Sequence, residues 1–450
     1  MKKLYFLLCA GILYASNANN GVIDKLNSLE KQLKQLKKNY RSEIEDLNER
    51  VDENEFQSSL NKIKWGGEFI VNVANYYVDL NSKNYSNTNR WDMRVALNMN
   101  ARINEKTKFT GRLMMTKAWG SAVSLNLAYL DATQGRADGT SALYVERAYV
   151  DYYFNNDFVV TIGRQPSSDG PGMNLKYDSR RKATYPALLF NGAADGIVLT
   201  YKIRHFIPKF KVRFAYGKGY QWIDRNYGWA SENPGIKDTD VYGFFMEGAI
   251  NNPKMGDNLW ILTLAKTTDL ITNPFDDYNA TINKSLGDYE HIGFYFENNR
   301  AFNTKINYFF SMAYCKPKSN GNKGMADLNG DGAPDTWVEL NKKSGYAYHI
   351  GVRYDKNRHW KFGYEFNHGS KYWFSFSTNL LDPTNKLAMR GNVNDFYTLY
   401  NVDIFQYIRF GFMYAKINYN YSGMYYAPKG EPENVDCIMK YLYLSYDLRF

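Results

Sequence analysis

Basic side chains are concentrated in the segment of residues 165–192. The charged residues of this segment are Lys176, Asp178, Arg180, Arg181 and Lys182, and Arg164 directly precedes it. Arginine and lysine at the narrowest point of a water-filled passage favour anions, because their charge acts there over less than the Debye length of about 8 Å. The chemistry predicted for the segment is therefore selection of solutes by charge.

Four further arginines share the polar face of predicted strands: Arg94, Arg102, Arg112 and Arg147. Two interpretations of this face are open. In the first, the arginines extend a basic wall that favours anions. In the second, they pair with Asp151, Glu68 and other acids on the same face and only hold the shape of the protein.

Residues 327–335 resemble a calcium-binding loop. Its oxygen ligands would be Asp327, Asn329, Asp331 and Asp335, with Gly332 at the sharp turn. Hard cations prefer such carboxylate and amide oxygens. The match is incomplete, because the acid expected three residues after Asp335 arrives one residue late, as Glu339. We expect either a structural calcium ion or a polar glycine-rich loop without metal, and no other cofactor.

Catalytic motifs are not found in the sequence. Gly217-Lys218-Gly219 lies in a predicted strand, without the following helix that a phosphate-binding loop needs. The five histidines are scattered, and neither Cys-x-x-Cys nor His-Glu-x-x-His occurs. We therefore expect no enzyme activity. The net charge of +10 would suit nucleic acid, but the secretion signal described below makes lipopolysaccharide phosphates the expected anionic neighbours.

The composition indicates strands with one apolar and one polar face. The 450 residues include 39 Tyr and 27 Phe, yet the mean hydropathy is only −0.54. So many aromatic residues exclude a disordered chain. The long apolar run Leu4–Ala15 is shorter than the about 20 residues of a membrane-spanning helix. A helical membrane protein is therefore excluded.

Residues 1–18 are predicted to be a secretory signal. Lys2 and Lys3 precede the apolar run, and Ser16-Asn17-Ala18 offers a small-x-small cleavage site. The mature chain would keep Cys315 and Cys437 in an oxidising compartment. They either pair or stay free, and we favour free thiols because nothing in their spacing dictates a bridge.

Residues 19–63 are predicted to form a coiled-coil helix. The apolar residues recur at steps of three and four, as in a heptad seam with one extra residue. The seam consists of Leu26, Leu29, Leu33, Leu36, Ile44, Leu47 and Val51, with Val22 and Tyr40 in the same stripe. Because the seam is narrow, we expect self-association. The alternative is one amphipathic helix lying on the periplasmic mouth of a barrel.

From residue 64 to 450 the apolar period is two. In the segment Trp91–Ile103, Met93 and Val95 lie on one face while Arg94 and Arg102 lie on the other. Strands of about ten residues with this alternation are typical of a transmembrane barrel. Other such segments are 145–154, 241–250, 307–314, 346–354 and 360–366. The sequence therefore predicts an all-β, antiparallel outer-membrane barrel.

The connections alternate between short polar turns and long loops, as periplasmic turns and external loops do. Long loops are expected at residues 81–88, 120–142, 165–192, 223–238, 268–286, 316–343 and 375–391. This spacing favours sixteen strands, with fourteen or eighteen left open because the segment 396–414 shows no clear turn. A barrel of this width encloses a channel, so the loop 165–192 is predicted to fold inward and narrow it.

The chain ends on an alternating apolar strand and Phe450, which looks like the signal that the barrel assembly machinery reads. The motifs Lys64-Trp65-Gly66-Gly67-Glu68-Phe69 and Lys108-Phe109-Thr110-Gly111-Arg112-Leu113, the Arg94/Arg102 strand and Phe450 together resemble an uncharacterised family of bacterial outer-membrane porins. Val160-Thr161-Ile162-Gly163-Arg164-Gln165 is similar to the strand before the constriction loop of general porins. The resemblance implies a fold, a location in the outer membrane and a homotrimer, and no particular solute.

The predicted function is passive diffusion of small hydrophilic solutes, with anions preferred. One alternative is a surface protein that tethers the outer membrane to periplasmic partners through its coiled coil. Another is a sugar channel, in which an aromatic cluster would stack sugar rings, although an interfacial girdle explains that cluster equally simply. The cluster consists of Tyr216, Tyr220, Trp222, Tyr227 and Trp229.

Overall fold

The alternating residues after position 63 form strands in the computed structural model of the protein. The structure describes residues 25, 27–53, 63–119, 143–166, 170–179, 181, 183–203, 207–221, 237–250, 252–272, 283–326, 335–377, 384–420 and 430–450. The chain divides into two units, Met1–Ile63 and Lys64–Phe450.

The first unit contains one helix over residues 27–53. Its apolar stripe lies open to solvent, since every member from Leu29 to Val51 is at least 52% exposed. Lys34 Nζ lies 3.4 Å from Glu30 Oε1, one turn earlier. The predicted helix is therefore present, while its association into a coiled coil stays a prediction. Leu26 and the predicted signal, residues 1–18, lie outside the described residues.

Within the described part of the chain, no helix combines the length and the apolar character needed to cross a membrane.

The second unit contains, in its described residues, the strands β1 (Ile63–Leu80), β2 (Lys83–Arg102), β3 (Thr107–Ala118), β4 (Tyr144–Tyr153), β5 (Phe158–Pro166), β6 (Phe190–Asn191), β7 (Ala193–Lys202), β8 (Lys211–Tyr220), β9 (Thr239–Gly248), β10 (Asp257–Thr268), β11 (Gly287–Asn299), β12 (Ile306–Ser319), β13 (Lys323–Ala326), β14 (Thr336–Glu339), β15 (Gly345–Asp355), β16 (Trp360–Gly369), β17 (Phe376–Ser377), β18 (Gly391–Asn401), β19 (Gln406–Tyr419) and β20 (Asn434–Arg449). Sixteen of them form a closed antiparallel barrel, in the order β1-β2-β3-β4-β5-β7-β8-β9-β10-β11-β12-β15-β16-β18-β19-β20. The predicted fold class, with sixteen strands, is confirmed.

The barrel closes where β1 pairs with β20, with Glu68 opposite Arg449. At the chain end, Gly67 N donates to Phe450 O at 2.8 Å and Phe450 N donates to Gly67 O at 3.0 Å. A Cβ on Gly67 would lie 2.3 Å from Cζ of the Phe450 ring. The glycine in the Lys64–Phe69 motif therefore leaves room for the C-terminal ring at the seam of the barrel.

The two faces of each barrel strand differ as the period of two predicts. In β19, Phe410 and Phe412 are exposed on the outward face, whereas Arg409 and Met413 are buried on the inward face. Large apolar side chains cover the outward face of most barrel strands, and polar or charged ones line much of the interior. This is the distribution of a barrel surrounded by lipid.

The connections at one end of the barrel are short, for example residues 103–106, 154–157 and 402–405. The loop predicted at residues 81–88 is wrong. Only Asn81 and Ser82 form the turn, with φ of 50° and 65°, the left-handed values of a tight two-residue hairpin. The polar residues after them stay in β2, because this part of the hairpin is exposed on both faces and needs no apolar alternation.

The interior of the described barrel is partly filled by a packed core. The loop segments around Leu188 and Trp373 meet there against the inward faces of β11 and β12. The short strands β6 and β17 pair in parallel and fix the two loops to each other. Cys315 belongs to this core, and both Cys315 and Cys437 are buried and free.

Candidate functional site

The segment that follows β5 folds into the barrel interior as a loop with two arms. We call residues 170–178 the first arm and residues 181–190 the second arm. Ala187 N donates to Pro171 O at 2.9 Å and holds the arms together. A Cβ on Gly170 would lie 2.2 Å from Tyr185 O, so only glycine allows this approach. The inward loop predicted from the sequence therefore has a defined shape in its described residues.

Asp178 fixes the tip of the first arm to the opposite wall. Its carboxylate accepts from Arg353 Nη1 at 2.9 Å, Lys361 Nζ at 2.5 Å and Asn401 Nδ2 at 2.9 Å. Burial alone would raise the pKa of Asp178, but the charges of Arg353 and Lys361 outweigh it and hold the pKa below its usual value. Asp178 is therefore an anchor of the loop.

Lys176, two residues earlier in the first arm, is neutralised by a second cluster. Its Nζ donates to Asp395 Oδ2 at 2.6 Å and lies 4.7 Å from the centre of the Tyr443 ring. Lys386 Nζ donates to the same Asp395 oxygen at 2.6 Å and to Glu365 Oε2 at 2.5 Å. Two lysines thus share two carboxylates, and all four side chains are buried.

Strand side chains also bind the backbone of the first arm. Tyr177 O accepts from Tyr407 OH and Arg449 Nη1, both at 2.9 Å, and the Arg409 guanidinium lies 4.3 Å above the Tyr177 ring. Tyr407 follows the first residue of β19, and Arg449 is the last residue of β20. The loop therefore reaches the end of the barrel at which the connections are short.

The second arm contacts a cluster in which cations outnumber acids, unlike the cluster around Lys176. Arg181 Nη2 donates to Glu247 Oε1 at 2.9 Å, and the same carboxylate accepts from Arg213 Nη1 at 2.7 Å and Lys211 Nζ at 3.4 Å. Glu247 is buried, whereas the three cations remain partly exposed. Three positive charges therefore surround one negative charge.

A cavity of about 250 Å³ lies between the second arm and strands β4, β5, β7 and β8. Its charged lining residues are Asp151, Lys202, Lys211 and Arg213, and its aromatic ones are Tyr149, Tyr153 and Tyr185. Asp151 Oδ1 accepts from Thr161 Oγ1 at 2.6 Å, and Lys202 Nζ donates to Asn156 O at 3.1 Å. The cavity is therefore a polar space that borders the second arm.

The sequence prediction missed the cations that line this cavity. Lys211 and Arg213 occupy alternate positions of β8, on the face opposite the exposed Phe214. That parity was a usable signal for an inward position. That Arg181 shares Glu247 with them was not readable, because Glu247 is 66 residues from Arg181 in the chain.

Three of the predicted wall arginines are paired and buried. Arg94 and Arg112 both bond Glu68 Oε2, at 3.2 and 2.6 Å. Arg147 bonds Glu146 at 2.6 Å, beside a register shift between β3 and β4. These contacts fit the second interpretation of the arginine face, in which the charges hold the shape of the barrel.

The other predicted pore residues are distributed differently. Arg102 is exposed at the end of β2, on the inward side that it shares with Arg94. Arg164, by contrast, lies outside the lumen, contrary to the prediction. Its Nη1 lies 3.3 Å from Asp195 Oδ2, on the outward side that carries the exposed Ile162 and Ile197. Alternate residues of a strand point to the same face, so Arg164 points outward as Ile162 does. Arg180 and Lys182 lie outside the described residues.

The predicted calcium ligands cannot be compared as a set, because Asp327, Asn329 and Asp331 lie outside the described residues. Asp335 is described, and its Oδ1 accepts from Thr336 Oγ1 at 2.9 Å. Across the residues that the structure places, no group of three or more His, Cys, Asp or Glu side chains is arranged to hold a metal. The calcium site stays a prediction.

The aromatic cluster is described only at Tyr216 and Tyr220. Tyr216 lies on the outward face, where its ring is 5.5 Å from that of Tyr242 and its hydroxyl donates to Asp240 at 3.0 Å. This placement suits a girdle at a membrane interface. Trp222, Tyr227 and Trp229 lie outside the described residues.

Comparison with known proteins gives a family and a fold. A family model described as "Protein of unknown function (DUF3373)" matches residues 84–446. No significant match is found among curated proteins.

Several solved structures are similar over most of the chain. The trimer form of OmpT, an outer membrane protein of Vibrio cholerae, is 10% identical over 86% of this chain and 99% of its own, with a TM-score of 0.43. An anion-selective porin from Comamonas acidovorans is 13% identical over 86% and 99%, with a TM-score of 0.49. OmpF of Salmonella typhi, in complex with daunomycin, is 10% identical over 86% and 97%, with a TM-score of 0.48.

Proposed function

The chain belongs to the DUF3373 family of proteins of unknown function, and we propose that it is an outer-membrane porin through which small hydrophilic solutes diffuse, anions by preference. The observation that carries the proposal is a closed sixteen-strand barrel with an apolar outward face and an inward loop that leaves a polar cavity. A barrel of this strand number is too wide for its own side chains to fill.

The outward face supports a lipid environment. Phe214, Ile292 and Leu444 are each at least 44% exposed, in the middle of their strands. Exposed apolar residues in this number would aggregate in water, whereas lipid accommodates them. Lipid and lipopolysaccharide are the proposed neighbours, and the signal at residues 1–18 and the terminal Phe450 are the proposed export and assembly signals.

The anion preference is supported by the cluster around Glu247. The cations near the passage outnumber the acids there, and partly exposed charges at a constriction set ion selectivity. The arginines bound to Glu68 and Glu146 contribute less, because they are buried and paired.

Conductance of the purified protein in planar lipid bilayers tests the proposal. We expect stable channels whose reversal potential in a salt gradient has the sign of an anion-preferring pore. A folded barrel that never conducts would refute the channel and favour the tether.

We further propose that the helix joins copies of the protein as a homotrimer. Its apolar stripe is exposed from Leu29 to Val51, and a lone helix of this kind gains stability mainly by burying such a stripe. Replacing Leu29 and Leu36 by Asp places charge in the stripe, so crosslinking in native membranes should yield less trimer than for the unchanged protein. Crosslinking that gives only monomer for the unchanged protein contradicts the trimer.

The tethering function is a second candidate, favoured by the same exposed stripe on a unit distinct from the barrel. A periplasmic partner would protect the helix from proteolysis in cells. If the protein conducts and its Leu29→Asp, Leu36→Asp variant loses both the trimer and the protection from proteolysis, the helix is assigned to self-association instead.

A further inference from the structure

We propose that Lys211 and Arg213, beside Arg181, form a saturable binding site for a small carboxylate- or phosphate-bearing anion, at the end of the lumen with the short connections. The inference rests on the proposed channel function, because an anion reaches the site only through the lumen. It goes beyond a general preference for anions, since it assigns the residues to which an anion binds.

The charge balance of the cluster is the first support. Glu247 is only 2% exposed and lies behind the cations, while Arg181 and Lys211 are 24% and 29% exposed. The four cations Arg181, Lys202, Lys211 and Arg213 are opposed by the three acids Glu247, Asp151 and Glu297, so one positive charge is left over beside the cavity. In a confined space with low-dielectric walls such a surplus attracts anions strongly.

Free hydrogen-bond donors are the second support. Nη1 of Arg181 is buried and has no hydrogen-bond partner among the described residues. A buried donor of this kind commonly marks the place of a water molecule or an ion. Guanidinium groups bind carboxylate and phosphate through two parallel hydrogen bonds. Arg181 does not line the cavity and holds Glu247, so the anion would bond to the lining cations Lys211 and Arg213 beside it.

The adjoining cavity sets the size and chemistry of the ligand. Its volume of about 250 Å³ is below the roughly 300–1,000 Å³ of pockets that hold drug-sized ligands. Lys202 adds a further cation to the lining, and Tyr149, Tyr153 and Tyr185 bring hydroxyls and ring faces. Small anions such as phosphate or a short carboxylic acid match this space.

Lys211 offers a variant that removes surplus charge without leaving Glu247 unpaired. Its contact with Glu247 is the longest of the three, so Arg181 and Arg213 keep the carboxylate bound after Lys211→Gln. Lys209→Gln is the matched control, since Lys209 lies two residues earlier, is exposed and pairs with Asp257 at 2.8 Å. Both variants lose one positive charge at the same end of the barrel.

The experiment measures chloride current through the full-length protein in planar bilayers while inorganic phosphate is added. We expect phosphate to reduce the current saturably. The half-blocking concentration should rise about tenfold in Lys211→Gln, the cost of one charge-assisted hydrogen bond, and stay unchanged in Lys209→Gln.

Glu247→Gln provides a second variant with the opposite sign, because it enlarges the surplus and should lower the half-blocking concentration. Equal shifts in Lys211→Gln and Lys209→Gln overturn the site and leave only surface charge. A conducting channel on which phosphate has no saturable effect also overturns the site alone. A folded protein that conducts nothing overturns the proposed function together with the site.

Discussion

The two arms of the inward loop carry similar charged residues but differ in charge balance. In the first arm, Lys176 joins Lys386 opposite Glu365 and Asp395, so the cluster is neutral. In the second arm, Arg181 shares Glu247 with two further cations. The side chain of Lys176 is 7% exposed and that of Arg181 is 24% exposed.

This difference separates charges that hold the loop from charges that act on solutes. A buried, balanced ion pair produces little field in the lumen, yet breaking it leaves an unpaired charge and costs about 3–5 kcal/mol. A partly exposed, unbalanced cluster contributes less to stability and creates a field where solutes pass. The same residue types therefore have different consequences in the two arms.

The largest expected effect comes from removing the anchor of the first arm. Asp178→Ala leaves Arg353 and Lys361 without their shared carboxylate, and we expect the arm to detach from the wall. Single-channel conductance should then rise severalfold and become noisy, because the loop no longer narrows the lumen at a fixed position.

Asp355→Ala is the control for that experiment. It removes an acid that also pairs with Arg353, at 2.7 Å, but it leaves the loop carboxylate in place. If both variants conduct alike, the anchoring role of Asp178 is disproved.

A smaller effect is expected from reversing a charge beside the second arm. Lys202 lines the cavity and its Nζ lies 5.8 Å from the centre of the Tyr153 ring. Lys202→Glu should shift the reversal potential in a salt gradient towards cations at nearly unchanged conductance. Lys209→Glu, on the exposed turn, should shift it much less. Equal shifts would mean that the cavity does not select ions.

Acid should loosen the first arm. The pKa of Asp178 in the folded protein lies below its ordinary value of 3.8, so its contribution to stability is complete above that value. The contribution is lost as the pH falls through the lowered pKa. Conductance should therefore stay constant from pH 7 to about 4 and become noisy below, and Asp178→Asn should be noisy throughout. A conductance change centred near neutral pH would contradict this assignment.

The barrel itself could be predicted from the sequence because alternation with period two is a local signal. Burial alternates from Tyr407 to Lys416 in β19 and from Lys440 to Asp447 in β20, even though no turn residue marked the hairpin between β18 and β19. The signal fails in residues 83–89 of β2, which are exposed on both faces. A strand that buries no face needs no apolar alternation.

The site was less predictable because its contacts join distant parts of the chain. Asp178 and Asn401 are 223 residues apart, and Lys176 and Asp395 are 219 apart. No local sequence pattern shows which acidic side chain a lysine will pair with. Composition gave the basic character of residues 165–192, while only the pairing shows that Lys176 is neutralised and Arg181 is not.

The smallest effect is expected at Tyr185, which borders the cavity from the second arm. Burial raises the pKa of Tyr185 to about 12, although the charge of Arg213 opposes the rise, so the phenol stays neutral at physiological pH. The ring lies 4.7 Å from that of Phe245, and phenylalanine would keep this packing. Tyr185→Phe should therefore leave the reversal potential unchanged between pH 7 and 9, measured beside Lys202→Glu in the same bilayers. Tyr185→Ala, which removes the ring, should raise conductance modestly without changing selectivity. If Tyr185→Phe shifts the reversal potential as far as Lys202→Glu, the hydroxyl and not the surplus of cations governs which ions pass the second arm.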